Sequence, residues 1–466
     1  MTASPRPDRD DPAVEQDYRR VTAAILGRAP EHDLVPSLTR IAHACRLMGD
    51  PQHAFRAVHV TGTNGKTSTT RMIERLLREQ GLRTGRFVSP HLTEPRERIA
   101  VDGVPLGRAR FVEVYDEVIP YVELVDAADP TQPRMTFFEV LVAMAYAAFA
   151  DAPVDVAVVE VGMGGAWDAT NVIDAEVSVV MPVAIDHERF LGHDLASIAT
   201  EKAGIIKPGG VAVLAEQDPE AAVPLLERAA SVGARVAREG IDFGLVTRDV
   251  AVGGQLVSLQ GLGRRYDDVF LPLHGVHQAR NAAAALAATE ALLGARPADG
   301  GSDAEGDTPA LDPEVVIAAF AGVDSPGRLE IVRRSPTILV DAAHNPAGAA
   351  VLAEALRESF TFSRLVGLVA ILEDKDAEGI LSELEPVLDE IVLTRSSSGR
   401  ARDVQDLAEL AGEVFGEHRV TVAERLDHAL DVAVARAELD GVPGSAVLAT
   451  GSITLVGDVR VLLGKG

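Results

Sequence analysis

Lys66 and Thr67 stand directly after a glycine turn, Gly62-Thr63-Asn64-Gly65, inside the stretch AVHVTGTNGKTSTTRMIERLLREQ that covers residues 57–80. A loop of this composition between a strand and a helix binds nucleotide phosphates. Its backbone N–H groups and the positive helix end face the phosphate oxygens, and glycine lets the backbone come close. Lys66 would reach the terminal phosphates, and the Thr67 hydroxyl would ligand the magnesium they carry. The full pattern has an earlier glycine at the position that Val60 occupies here. The competing reading is a strand-to-helix turn whose glycines serve geometry alone.

Other reactive side chains fall where apolar runs end. Ser89 and His91, in Ser89-Pro90-His91-Leu92, close the run 84–89. Glu160 stands near the end of VDVAVVEV, residues 154–161, where a carboxylate is costly unless paired or bound to metal. A glycine-rich loop with the only tryptophan, Trp167, follows at 162–171. His187 lies beyond the run 177–183, and a lone histidine there is more often structural than a ligand. Lys202, in Glu201-Lys202-Ala203-Gly204-Ile205, reads alone as a surface lysine. Asp341 and His344 follow the run 337–340. Ligands of open α/β sheets bind at such strand ends.

The elements that must position these residues are legible in outline. Residues 58–60 predict a strand, and Met72, Ile73, Leu76 and Leu77 have helical spacing, with Gly81 placed to stop the helix. Residues 18–50 predict two helices with a loop at 30–36, and residues 108–150 are mainly helical. Thr136 and Glu139 have capping-box spacing. The cluster Arg96-Glu97-Arg98 reads as a solvated charge run. Short strands at 236–272 precede an apolar helix, 278–293, with Asn281 near its start. Residues 294–313 form an acidic Gly/Ala/Pro surface insertion. Turn chemistry at 324–327 marks a hinge, after which the strand–helix alternation restarts. The expected architecture is α/β throughout: a disordered N-terminus at 1–17, an ATP-binding domain at 18–323, and a smaller α/β domain at 328–466.

A chain of 466 residues exceeds one typical core, so two or three domains are expected. No apolar run is long enough to cross a bilayer, and the acidic, proline-containing start resembles neither signal peptide nor anchor. With Cys45 as the single cysteine no intrachain disulfide is possible, and cytoplasm is the default. The formal charge of −26 argues against nucleic-acid binding.

Taken in order, the motifs resemble the Mur ligase superfamily of ATP-dependent amide ligases at Gly62-Thr63-Asn64-Gly65-Lys66-Thr67-Ser68. Within it the chain is similar to the folylpolyglutamate synthase/dihydrofolate synthase family. That narrowing rests on Ser89-Pro90-His91-Leu92, Glu160-Val161-Gly162-Met163-Gly164-Gly165 with Asp168-Ala169-Thr170-Asn171, and Asp186-His187 with Leu191-Gly192. Glu201-Lys202-Ala203-Gly204-Ile205, Pro326-Gly327-Arg328, Asp341-Ala342-Ala343-His344-Asn345-Pro346 and Thr450-Gly451-Ser452 complete the set. The resemblance implies a P-loop central-type domain and a Rossmann-like C-terminal domain. It also implies that Asn64, Gly65, Lys66 and Thr67 hold ATP phosphates, and that Ser89, Glu160 and His187 ligand magnesium. Lys202 would be carried as a carbamate (N6-carboxylysine) beside a second magnesium. Asn281 would contact the base, and Arg328, Asp341 and His344 would complete the ATP site. The pterin substrate would lie against Glu31, His32, Asp33, Thr136, Phe137, Phe138, Glu139, Trp167, Asp168 and Ala169. Two places depart from the family pattern: Thr67 where glycine is common, and Gly165-Ala166-Trp167-Asp168 where Gly-Gly-Arg-Leu-Asp is commoner, which replaces an arginine and puts an indole beside the pterin pocket that the resemblance implies.

Lys66, Lys202, His344 and Asp341 are thus the candidate catalytic residues, with ATP and two magnesium ions as cofactors. The implied partners are dihydropteroate or folates and L-glutamate, with no nucleic acid or membrane, and a monomer is the family expectation. A carboxylate does not react with an amine in water. Phosphoryl transfer from ATP gives it a leaving group, and the glutamate amine then expels phosphate, while hinge closure would exclude water. A Mur-type or other amino-acid ligase is the alternative within the class, and a phosphate-loop ATPase switch the alternative outside it.

Overall fold

The computed structural model describes residues 11–29, 37–129, 131–295, 310–439, 441 and 443–465. The described chain divides into two compact units. The first comprises the residues up to Thr247 with Val257–Val269 and Arg280–Gly322; the second comprises Arg248–Leu256, Phe270–Ala279 and the residues from Val323 on.

The first unit is built on eight strands: β1 (Arg56–Thr61), β2 (Thr84–Phe87), β3 (Ile99–Val101), β4 (Val104–Pro105), β5 (Val156–Glu160), β6 (Val177–Val180), β7 (Val211–Leu214) and β8 (Arg235–Arg238). Their order is β4-β3-β2-β5-β1-β6-β7-β8. β2, β5, β1, β6, β7 and β8 run parallel, and β3 and β4 add an antiparallel edge. Val58, Val60, Val156, Val158 and Val159 have no exposed surface, as expected of strands covered on both faces. The chain moves to one side of β1 for β2 and β5 and to the other for β6 to β8. The crevice at the carboxyl end of β1 is therefore the switch point where open α/β sheets bind ligands. The register there sets Val60 of β1 beside Glu160 of β5.

Ten helices belong wholly or in part to this unit: α1 (Pro12–Leu26), α2 (Thr39–Leu47), α3 (Lys66–Glu79), α4 (Arg108–Ala128), α5 (Phe137–Asp151), α6 (Glu188–Leu191), α7 (Leu195–Ala203), α8 (Pro219–Ser231), α9 (Val276–Leu292) and α10 (Pro313–Ala321). On α3 the apolar stripe Met72, Ile73, Leu76 and Leu77 is fully buried. A small sheet, order β11-β10-β9, is made by β9 (Gly244–Ala251), β10 (Gly254–Gln260) and β11 (Arg265–Leu271).

The second unit has six strands: β12 (Glu330–Arg334), β13 (Thr337–Val340), β14 (Arg364–Val369), β15 (Glu390–Leu393), β16 (Val420–Val422) and β17 (Ser445–Thr450), in the order β12-β13-β17-β14-β15-β16. β12 is antiparallel to β13, and the rest are parallel. Leu339, Val369, Ile391 and Leu448 form the centre of its core. Its helices are α11 (Pro346–Ser359), α12 (Ala377–Leu384), α13 (Val404–Phe415), α14 (Leu426–Ala437) and α15 (Ile453–Leu462).

Three expectations are corrected. Residues 12–17, expected to be disordered, open α1: the Asp11 carboxylate accepts from Ala13 N–H, Pro12 takes the first turn, and Tyr18 and Val21 bury one face. The expected continuous domain 18–323 is interrupted, because Arg248–Leu256 and Phe270–Ala279 group with the C-terminal unit. Within the expected surface insertion at 294–313, Asp312 caps α10, which starts at Pro313. Residues 296–309 of that insertion lie outside the described residues, as do residues 1–10 of the N-terminus.

Candidate active site

β1 ends at Thr61, and Gly62 to Gly65 turn the chain into α3. Gly62 has φ +141°, and a Cβ there would sit 2.6 Å from Met181 Cβ, so only glycine fits between the loop and the end of β6. The loop is held from outside. Thr63 N–H donates to Pro182 O at 3.0 Å, the Thr63 hydroxyl donates to Ala184 O at 2.9 Å, and the Thr61 hydroxyl donates to Gly164 O at 2.8 Å. The Lys66 ammonium lies back on the turn, donating to Gly62 O and Thr63 O at 3.0 Å each. α3 starts from Gly65, whose missing side chain leaves it without a cap bond of its own, at the strand–turn–helix junction that the sequence predicts. Asn281 of α9 is buried, and its Oδ1 lies 2.8 Å from where a Gly65 Cβ would be.

Beside the loop is a cluster of oxygen ligands. Glu160, 1% exposed, accepts from the Thr67 hydroxyl at 2.9 Å and from Ser89 N–H at 3.2 Å. Carboxylate and hydroxyl oxygens at one buried point suit a hard divalent cation such as magnesium. His187, in the left-handed region at φ +54°, follows Asp186 beyond the end of β6. Both line a small cleft whose walls include Thr61, Gly62, Lys66, Gly164, Leu191 and Lys202. Lys202, which on its local sequence alone reads as a surface lysine and by the resemblance as a site residue, is buried and donates to Gly62 O at 3.0 Å. Burial, and then the nearby Lys66, push its pKa down to about 7, while Asp186, Asp168 and Glu201 oppose this.

The residues expected around the pterin separate into two groups. Glu139 is buried against Arg40 of α2, accepting from its Nε at 3.1 and 3.2 Å, and it completes the capping box by accepting from Thr136 N–H at 2.8 Å. Phe138 packs on Phe87, and its ring lies 2.5 Å from where a Gly162 Cβ would be. Phe137 carries the Arg98 guanidinium 4.8 Å above its ring. Phe137, Phe138 and Ala169 share one core cluster. Trp167 packs instead, with Met163 and Phe190, on the cluster formed by Leu191, Ile198 and Ala199. Asp168 is buried, accepting from Met163 N–H and Thr170 N–H at 2.9 Å each. Glu31, His32 and Asp33 lie outside the described residues.

In the second unit, Asp341 at the end of β13 accepts from Leu329 N–H and Ala343 N–H at 2.8 Å each. Burial raises its pKa, opposed by Arg328 and these two bonds. The His344 Nδ1 lies 2.9 Å from Ala342 O, which makes it the protonated nitrogen, and Asn345 caps α11.

The charge run 96–98 is a further correction. The Glu97 carboxylate gathers the N–H groups of Leu92, Thr93 and Glu94, and Arg98 is buried, donating to His91 Nδ1 at 3.0 Å. Burial, then Arg98, lower the His91 pKa to about 3. Sequence reading missed Arg98 and Arg40 because a charged side chain is exposed by default, and only the aromatic and acidic partners brought in by the fold reverse that. Met181, which packs against Gly62 from the end of β6, was also missed, since a single apolar residue beside a strand end carries no pattern.

Two family models match the chain: the Mur ligase middle domain over residues 60–289 and the Mur ligase glutamate ligase domain over residues 327–453. A dihydrofolate synthase/folylpolyglutamate synthase of Mycobacterium tuberculosis is 50% identical over 94% of this chain and 92% of its own length. A folylpolyglutamate synthase of Lacticaseibacillus casei is 33% identical over 91% and 94%. Among solved structures, a Mycobacterium tuberculosis folylpolyglutamate synthase complexed with ADP and AMPPCP superposes with a TM-score of 0.90 at 48% identity, covering 97% of this chain and 99% of that one. A folylpolyglutamate synthase–AMPPCP–folate complex superposes with a TM-score of 0.80 at 31% identity, covering 96% and 99%.

Proposed function

The chain belongs to the Mur ligase family, in its folylpolyglutamate synthase/dihydrofolate synthase branch, and from that premise we propose that it is an ATP-dependent L-glutamate ligase acting on dihydropteroate, on reduced folates, or on both. The observation that carries the reading is the uncapped start of α3 set beside the buried Glu160–Thr67–Ser89 cluster. A phosphate-binding helix end next to a hard-cation site is what phosphoryl transfer to a carboxylate requires.

ATP binds with its phosphates on the 62–67 turn. Lys66 exchanges its two carbonyl partners for phosphate oxygens, and Asn281 lies against the nucleotide. Thr67, Ser89 and Glu160, with His187, would hold magnesium, which supplies charge neutralisation at the phosphates. The γ-phosphate passes to the substrate carboxylate, giving an acyl phosphate. The neutral amine of glutamate adds to the acyl carbon, and phosphate leaves with the bonding pair. Lys66 and the loop N–H groups stabilise the negative charge that builds up in both transfers. Carboxylation of Lys202 would turn a buried cation into an anion able to share in binding a second magnesium. Arg328, Asp341 and His344 contribute to ATP turnover, and Phe137, Phe138, Trp167, Asp168 and Ala169 to the pterin-bearing substrate. Glu139 and Thr136 support that region as a cap. The protein works as a cytoplasmic monomer in this reading. Among the described residues no helix is long and apolar enough to cross a membrane.

The test is phosphate release from ATP with magnesium and L-glutamate, offering dihydropteroate, dihydrofolate and tetrahydrofolate in turn, with products identified by mass. Addition of one glutamate to dihydropteroate and to a reduced folate establishes both activities. Addition to one substrate alone names the single activity. Phosphate release that ignores every pterin and glutamate overturns the reading.

A further inference from the structure

A buried polar column under the loop 162–171 runs from His59 through Thr170 to Asp168, and the chemistry above uses neither His59 nor Thr170. His59, in the middle of β1, is fully buried, and its Nε2 lies 2.8 Å from Thr170 Oγ1. The Thr170 hydroxyl also bonds to Asp168 Oδ1, the oxygen that accepts from Thr170 N–H. An ionised carboxylate only accepts, so the Thr170 proton goes to Asp168 and its oxygen accepts from His59. The imidazole is therefore neutral with its proton on Nε2. Nδ1 has no hydrogen-bond partner among the described residues, and burial, then Lys207, hold the ring's pKa well below the ordinary value. A buried nitrogen without a partner costs about 1–3 kcal/mol. Val58 and Val60 flank it on the same strand, so sheet stability alone would favour an apolar residue here.

The column ends on a loop that seats the helix carrying Lys202. Ala166 N–H donates to Glu201 O at 2.9 Å, and Trp167 N–H donates to Glu201 Oε1 at 3.1 Å. Gly165 is pressed so close that a Cβ there would lie 2.8 Å from Glu201 O and 3.0 Å from Lys202 Cα. Asn171 ties the loop to the end of α7, donating from Nδ2 to Gly204 O at 3.2 Å. Tyr146 OH donates to Thr170 O at 2.7 Å and anchors the loop to α5. A shift of Thr170 would thus be passed to the backbone at Glu201 and Lys202.

We infer that His59 and Thr170 are positioning residues, which hold Asp168 and the 162–171 loop at the height that places Lys202 in the phosphate-loop cleft. The inference rests on the role proposed above for Lys202. Neither side chain touches the reacting groups, and each acts through the loop.

The experiment compares the full-length protein with Thr170→Val, which keeps the side chain's shape and removes its hydroxyl, and Thr170→Ser, which restores the hydroxyl. Thr170→Val should lower kcat by about tenfold or more, with KM for ATP little changed, as losses of supporting hydrogen bonds around a reactive centre do. Thr170→Ser should recover most of that loss. In Thr170→Val the amide hydrogens of Ala166 and Trp167 should exchange faster, and the emission of Trp167, the only tryptophan, should shift to the red. Nitrogen-15 NMR of the histidine-labelled wild type should show one ring neutral and protonated on Nε2 from roughly pH 5 to pH 8. A folded Thr170→Val protein with unchanged kcat, or a His59 ring protonated on Nδ1, overturns the inference. If Thr170→Val does not fold, Thr170→Ser and the NMR tautomer decide. A wild type that adds no glutamate defeats the ligase reading instead, and the exchange and tautomer measurements still test the column.

Discussion

Two helices of the first unit begin in opposite ways. α3 leaves the glycine turn at Gly65, a cap residue with no side chain to close on the first turn of the helix. α5 begins at a closed capping box, where Thr136 accepts from Glu139 N–H and Glu139 accepts from Thr136 N–H. Glu139 is also buried against Arg40, so the positive end of α5 faces an internal anion already paired with an internal cation. At α3 the nearest strongly charged side chain is Lys66, whose ammonium rests on two backbone carbonyls. A helix end satisfied from within is finished as structure. A helix end that starts from a glycine turn with a lysine beside it is suited to an anion from outside. Both lie in one unit and obey the same electrostatics, and only what the surrounding elements provide differs.

Substitutions at the two ends should therefore fail differently. The largest effect is expected from Lys66→Ala, with turnover falling by on the order of 10²–10³-fold. Its thermal unfolding should stay close to wild type, since the side chain is only partly buried and its bonds to Gly62 O and Thr63 O lie within its own loop. A loss of stability matching the loss of rate would erase the contrast. Next is Arg40→Ala, which leaves Glu139 buried without its cation and should cost about 3–5 kcal/mol in denaturant unfolding. KM for ATP should change little in the fraction that folds. A third measurement is the stabilisation by a non-hydrolysable ATP analogue, which should reach about 2.7 kcal/mol at 100 times its Kd in wild type and in Arg40→Ala alike. The same analogue concentration should stabilise Lys66→Ala much less. The smallest effect is Thr136→Ala, the loss of one cap, at about 1 kcal/mol with kcat within twofold of wild type. A selective loss of folate binding in that variant would return Thr136 to the substrate site.

Much of this contrast was already legible in the chain. The capping-box spacing of Thr136 and Glu139 predicts the closed start, and Gly62-Thr63-Asn64-Gly65-Lys66-Thr67 predicts the open one. Both are patterns within a few residues, governed by local backbone geometry. The strand ends that carry Ser89, Glu160 and Asp341 were legible for the same reason: apolar β-branched runs stop where polar residues begin.

Charged residues whose partners are distant in sequence were misread. Lys202 reads as a surface lysine on its local sequence alone, and only the resemblance makes it a site residue; it is buried over the phosphate loop, bonded to Gly62 140 residues away. Arg98 was placed in a solvated run and lies over the Phe137 ring. Arg40 drew no notice, although it neutralises Glu139 99 residues on. Trp167 packs with Phe190 on the cluster of Leu191, Ile198 and Ala199, apart from the cluster that holds Phe137 and Phe138, and nothing in its neighbouring residues signals that choice.

The sequence by itself determined the alternation of strands and helices, the phosphate-binding turn, the carboxylate at the end of β5 and the family to which the chain belongs. Each of these is written in neighbouring residues or in ordered motifs. Only the tertiary structure decided which charges are buried, which helix start is open, and what seats Lys202. The free energy of a buried charge or a buried histidine depends on partners a hundred residues distant, and no local pattern encodes where the folded sheet will bring them.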